Sequence, residues 1–83
     1  MALYFMEYEL RKQRDYPTLY AELRRLGAVR VLESFWCFKV DGSSAETIRD
    51  HFKRYIDSDD GIAVVQASDW ATYKTQGHPN QLK

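Results

Sequence analysis

A chain of 83 residues with twelve basic and twelve acidic side chains has no formal net charge, which excludes a protein whose whole surface is a polycationic glove for nucleic acid. Its 45% apolar and 29% charged residues match a globular average, and no apolar run approaches the roughly 20 residues of a membrane span. One domain of this size buries only about 60% of its unfolded surface, so burial against a partner is valuable.

The first element is the strand Leu3 to Leu10, LYFMEYEL. Alternation places Leu3, Phe5, Glu7 and Glu9 on one face and Tyr4, Met6, Tyr8 and Leu10 on the other. The opening MALYFM lacks a charged region ahead of its apolar run and a small-residue cleavage site, so it is expected to be strand and not a signal peptide. A basic loop, RKQR, spans Arg11 to Arg14. Asp15 is the expected N-cap of a first helix, Pro17 suits its first turn, and Leu19, Leu23 and Leu26 with Tyr16 or Tyr20 give helical spacing up to Gly27. The ELRR stretch on this helix is expected to be a solvated face.

AVRVL and FWCFKV flank Glu33 and Ser34 and read as two tightly joined antiparallel strands or one bulged strand. After the DGSS turn, Ser43 and Glu46 have capping-box spacing, and Ala45, Ile48, Phe52, Tyr55 and Ile56 form the stripe of a second helix. DSDDG ends it. GIAVVQAS is the last strong strand, and DWATY is expected to add a short helix or a further strand segment. Residues 74–83 show no apolar periodicity and are expected to form a flexible tail, leaving residues 1–73 as the domain. The order strand, helix, strand, strand, helix, strand predicts an α+β, ferredoxin-like βαββαβ fold, an antiparallel sheet with two helices on one face.

Two helices cover one face of such a sheet, yet three of its strands are apolar on both sides, where a solvated face should alternate with polar residues. The expected cover is a second copy, a homodimer through the sheet face whose seam holds Leu3, Phe5 and Ile62. Glu7 and Glu9 then lie at the edge of that seam, where two copies would gather four carboxylates able to hold a hard divalent cation. The plainer expectation is that both glutamates are solvated, or pair with Arg11, Lys12 or Arg14.

Tyr8, Glu9 and Leu10 at the end of the first strand, the basic loop, the amphipathic helix ending at Gly27, the Ser34–Phe35 pair, the second helix and the Val-rich strand resemble the small CRISPR-associated adaptation endonucleases (Cas-two) and their relatives, virulence-associated protein D and the short phage-type SinR-like proteins. The resemblance spans about residues 3 to 73 and implies a homodimer. It also implies a first-strand acid near the two-fold axis that serves Mg2+-dependent cleavage of DNA or RNA in catalytic members; other members are scaffolds that hold duplex DNA. The acid position falls on Glu9. Glutamate stands there in place of aspartate, and the added methylene moves the carboxylate by more than about an ångström, enough to spoil a geometry-sensitive site.

The candidate catalytic residue is therefore Glu9, the candidate metal ligands are Glu9 and Glu7, and the candidate nucleic-acid contacts are Arg11, Lys12, Arg14 and Ser34. The functional expectation is a dimeric nucleic-acid-associated protein with a weak or degenerate metal-dependent endonuclease site. The alternative is a non-catalytic dimeric interaction module, antitoxin-like or a phage accessory protein, that binds another protein. Other signals are poorer. DSDDG lacks the closing glutamate of a calcium loop, His51 and His78 with one cysteine make no zinc pattern, and the aromatic strands lack the RNA-recognition signature. Cys37 reads as a buried structural thiol in a reducing cytoplasm.

Overall fold

The computed structural model describes residues 1–12 and 16–82. It is α+β: β1 (Ala2–Glu9), α1 (Pro17–Arg25), β2 (Val29–Leu32), β3 (Phe35–Val40), α2 (Ala45–Phe52) and β4 (Gly61–Ala67), with 3-10 turns at Lys53–Tyr55 and Pro79–Gln81. The four strands form one antiparallel sheet in the order β2-β3-β1-β4, an arrangement compatible with a ferredoxin-like fold. Among the described residues no helix is long and apolar enough to cross a membrane.

Alternation along β1 decides both faces of the sheet. Tyr4, Met6 and Tyr8 are buried with Trp36 and Phe38 of β3, and both helices pack on that side through Leu19 and Leu23 of α1 and Ile48 and Phe52 of α2. The strands are pinned in register by the pairs Met6 with Trp36 and Tyr8 with Ile62. Ile62 therefore faces the helices, not the seam expected to hold it with Leu3 and Phe5.

Two local details, the caps of the helices, differ from the sequence expectations, and the joined strands take the first of their two expected forms. The N-cap of α1 is Tyr16, which makes no side-chain cap bond, with Pro17 opening the helix; Asp15, like Arg14, lies outside the described residues. The N-cap of α2 is Ser44, one residue past the expected Ser43: its Oγ accepts from the Thr47 N–H at 3.1 Å, so Glu46 is not the box partner. Glu33 and Ser34 join two separate strands, with a register shift between Arg30 and Leu32. Gly27 at φ 74° closes α1 as expected.

The second face carries the largest correction. Phe5, Val31 and Cys37 are buried there within a single chain, packed against Trp70 and Leu82. The segment expected to be a flexible tail lies on the sheet: the Gln76 N–H donates to the Val31 carbonyl at 2.8 Å, Pro79 is buried, and the Trp70 and His78 rings stack with centroids 6.4 Å apart. A Cβ on Gly77 would come within 2.6 Å of the Arg30 carbonyl oxygen, so only glycine allows this approach to the β2 edge. DWATY forms neither helix nor strand. An edge strand needs cover, and β2 takes it from its own chain, while β4 at the other edge leaves Val65 54% exposed.

Candidate functional site

β1 ends where the sheet meets two loops, and a cleft of about 940 Å³ opens there. Its walls bring together Glu7, Glu9, Arg11, Lys12 and Ser34, five of the six residues singled out in the sequence; the sixth, Arg14, is not described. Glu7 and Glu9 share a face because strand side chains repeat every two residues. Ser34 enters because the hairpin folds back on β1, where the Ser34 carbonyl accepts from the Tyr8 N–H at 3.2 Å. Phe35 follows on the second face, stacked on Phe5 with ring centroids 5.0 Å apart.

The charges in this cleft are largely engaged with one another. Glu9 Oε1 accepts from Arg11 Nη2 at 2.7 Å, both side chains being more than half exposed. Arg11 is anchored again through its backbone N–H, which donates to Asp60 Oδ1 at 2.7 Å, and through Nη1, which donates to the Asp59 carbonyl. Lys12 Nζ lies 3.2 Å from Asp59 and 3.9 Å from Asp57. The plainer expectation holds for Glu9: it pairs with Arg11.

Asp60 organises the loop on which those cations sit. Besides the Arg11 N–H, its carboxylate accepts from the Tyr16 hydroxyl and from the Asp57 N–H, both at 2.8 Å. The bond from the Arg11 N–H is the main cause that holds the Asp60 carboxyl below the ordinary aspartate value, and the same carboxylate raises the Tyr16 hydroxyl, whose burial is the leading cause. DSDDG thus ends the helical region as expected and also fastens the basic loop, a role visible only once residues about fifty apart in the chain meet.

Two aromatic residues, Tyr8 and Tyr20, line the cleft. Trp36 Nε1 donates to the buried Tyr8 hydroxyl at 3.0 Å, and the Arg30 guanidinium lies 4.9 Å from the Trp36 ring centre and 5.1 Å from that of Tyr20. Such cation–π contacts fix a side chain best where water is scarce.

A second polar cluster was missed in the sequence. Glu22, in the ELRR stretch expected to be solvated, is only 8% exposed. It accepts two bonds from Arg25, at 2.8 and 2.7 Å, and one from His51 Nε2 of α2 at 2.6 Å. The Arg25 guanidinium first, then His51, hold the Glu22 carboxyl down to about 2. A pairing across 29 residues leaves no local signal beyond the i, i+3 spacing of Glu22 and Arg25.

Cys37 is fully buried, and desolvation pushes its thiol up to about 11, which fits a structural and not a nucleophilic cysteine. Glu7, Glu9 and Glu33 line the cleft, Glu9 being closed by a guanidinium, and among the described residues no group of three or more His, Cys, Asp or Glu is gathered as oxygen ligands for a hard cation would be. No protein-family model matches the chain.

Proposed function

We propose that this protein is a nucleic-acid-associated member of the Cas-two type, with a ferredoxin-like fold, whose endonuclease site is degenerate. The main support is the closure of Glu9: the carboxylate at the family's acid position is held by Arg11 at 2.7 Å, and Arg11 is held in turn by the Asp59–Asp60 turn. A metal-dependent nuclease needs that acid free to bind the cation and the neighbouring cation free to meet phosphate. Here each neutralises the other. On this reading the protein holds nucleic acid without cutting it.

It acts as a homodimer, with the second copy seated on the part of the second face that the C-terminal segment leaves open. Supporting this are the half-buried Leu3, Phe35 and Ala67 around the exposed Val65, an apolar surface that a symmetric pair would bury.

The second reading, a non-catalytic module that binds another protein, is favoured by one observation. Glu7, Glu9 and Glu33 line the cleft against Arg11 and Lys12, and both of these cations are already paired. Binding of duplex DNA and duplex RNA across a salt series separates the two. The nucleic-acid reading requires an affinity that falls steeply with salt, because each phosphate contact releases counterions. Absence of binding to either duplex at low salt removes it in favour of the protein-binding module.

A further inference from the structure

Of the arginines and lysines among the described residues, most are committed. Arg11, Lys12, Arg25 and Arg49 sit in ion pairs, Arg30 and Lys74 lie over aromatic rings, and Arg54 meets His51. Arg24, Lys39 and Lys53 have no such partner among the described residues. Two of those three, Arg24 and Lys39, line one cleft of about 420 Å³, and among the described residues no Asp or Glu lines it.

This cleft lies at the opposite end of the sheet from Glu9. It opens beside the start of β1 and the end of β3, roughly 25 Å away by the length of an eight-residue strand at about 3.3 Å per residue. Its wall is completed by Gln81 and Leu82 of the folded-back C-terminal segment. Gln81 uses its Oε1 to accept from the His78 N–H at 3.0 Å, which turns its amide NH2 into the remaining polar group. Guanidinium, ammonium and amide are all donors, and such a set selects an anion. The carbonyl end of α1 opposes it, but that end carries only about half a negative charge. Two of its carbonyls are also taken, those of Arg24 and Leu23, by the N–H groups of Gly27 and Ala28 at 2.9 and 3.0 Å.

We propose that this cleft is a phosphate seat, and that nucleic acid bound by the protein is gripped here through Arg24 and Lys39 instead of at the Arg11–Lys12 loop. The nucleic-acid part rests on the function proposed above; the phosphate seat does not. Both cations are exposed, so replacing them leaves the fold intact.

The test has two arms. In the first, fluorescence anisotropy follows a labelled duplex bound by wild type, by the double variant Arg24→Gln/Lys39→Gln, by Lys53→Gln and by Lys12→Gln. Losing two phosphate contacts makes the slope of log affinity against log salt shallower by about 1.8. Between about 50 and 200 mM salt, wild type then loses roughly twelvefold more affinity than the double variant. Lys53→Gln keeps the wild-type slope. If Lys12→Gln takes the loss and the double variant does not, the proposed grip is overturned while the nucleic-acid function stands.

In the second arm, inorganic phosphate is titrated at constant ionic strength and the backbone amides are followed by NMR. Shifts centred on Gly27, Ala28 and Leu82 that vanish in the double variant support the seat, even in a protein that binds no duplex, an outcome that removes the nucleic-acid function alone. Absence of those shifts overturns the seat.

Discussion

Replacing Glu22 by Gln keeps the size and the acceptor oxygen of the side chain but removes the charge that Arg25 and His51 share. The drop of the Glu22 carboxyl from 4.5 to about 2 sets a ceiling of about 3.4 kcal/mol on the contribution of that charge, at about 1.36 kcal/mol per pH unit. Water screens the pair, because the Arg25 side chain is 65% exposed, so a contribution of about 1.5 kcal/mol is the better figure. For a domain of this length that corresponds to a fall in Tm of about 6–12 °C. The folded-state value lies below the unfolded one, so the contribution is complete above about pH 4.5 and is lost as pH falls toward 2. Thermal unfolding of wild type and Glu22→Gln by circular dichroism at pH 7 and pH 3 reads this directly. The gap in Tm should be full at pH 7 and shrink by more than half at pH 3. Equal stabilities at pH 7, or a gap that does not change with pH, would refute the ion-pair clamp between α1 and α2.

The covered second face can be opened by Gly77→Ala, whose Cβ meets the Arg30 carbonyl at 2.6 Å; the C-terminal segment should lift from β2 and Cys37 should react faster with a thiol reagent, and an unchanged rate would mean that the segment does not cover it. Trp36→Phe removes the donor to the buried Tyr8 hydroxyl and should cost about 1–3 kcal/mol, measured as a lower urea midpoint at an unchanged m-value. Phe52→Ala empties a fully buried site at the meeting of α2 and the sheet and should cost about 3–5 kcal/mol, a large share of the stability of so small a domain, detected by the same urea titration.

What the chain order discloses and what it hides follow from the range of the interactions. β1 was legible from the period-two alternation of Tyr4, Met6 and Tyr8, and β3 and β4 from short apolar runs bounded by turn residues, because both signals are local. Leu19, Leu23, Ile48 and Phe52 were legible for the same reason at helical spacing. The cap of α2 slipped by one residue because Ser43 and Ser44 are chemically equivalent caps and only the fold selects between them. The folding back of residues 76–82 was hidden because it depends on a bare glycine, one proline and one leucine, with no periodicity to reveal them. Apolar residues on both sides of a sheet require burial, but they do not say how much of the cover the same chain supplies, and here Trp70 and Leu82 supply part of it.

The candidate site divides in the same way. That Glu7, Glu9, Arg11, Lys12 and Ser34 share one cleft follows from strand periodicity and a tight hairpin, both local. The closure of the Arg11–Lys12 loop by Asp57, Asp59 and Asp60 depends on contacts across about fifty residues, which no spacing rule reaches. The same holds for Glu22 and His51. Arg24 and Lys39 stand out only by elimination, once the partners of the other cations are known.

The most direct test of a nucleic-acid protein with a closed acid site is cleavage of labelled duplex DNA and RNA by wild type and Glu9→Gln in Mg2+ and in Mn2+. The Glu9–Arg11 ion pair requires the two proteins to give the same background, with no cut attributable to Glu9. Cleavage by wild type that disappears in Glu9→Gln would mean that Arg11 releases the carboxylate and that the site is a working nuclease.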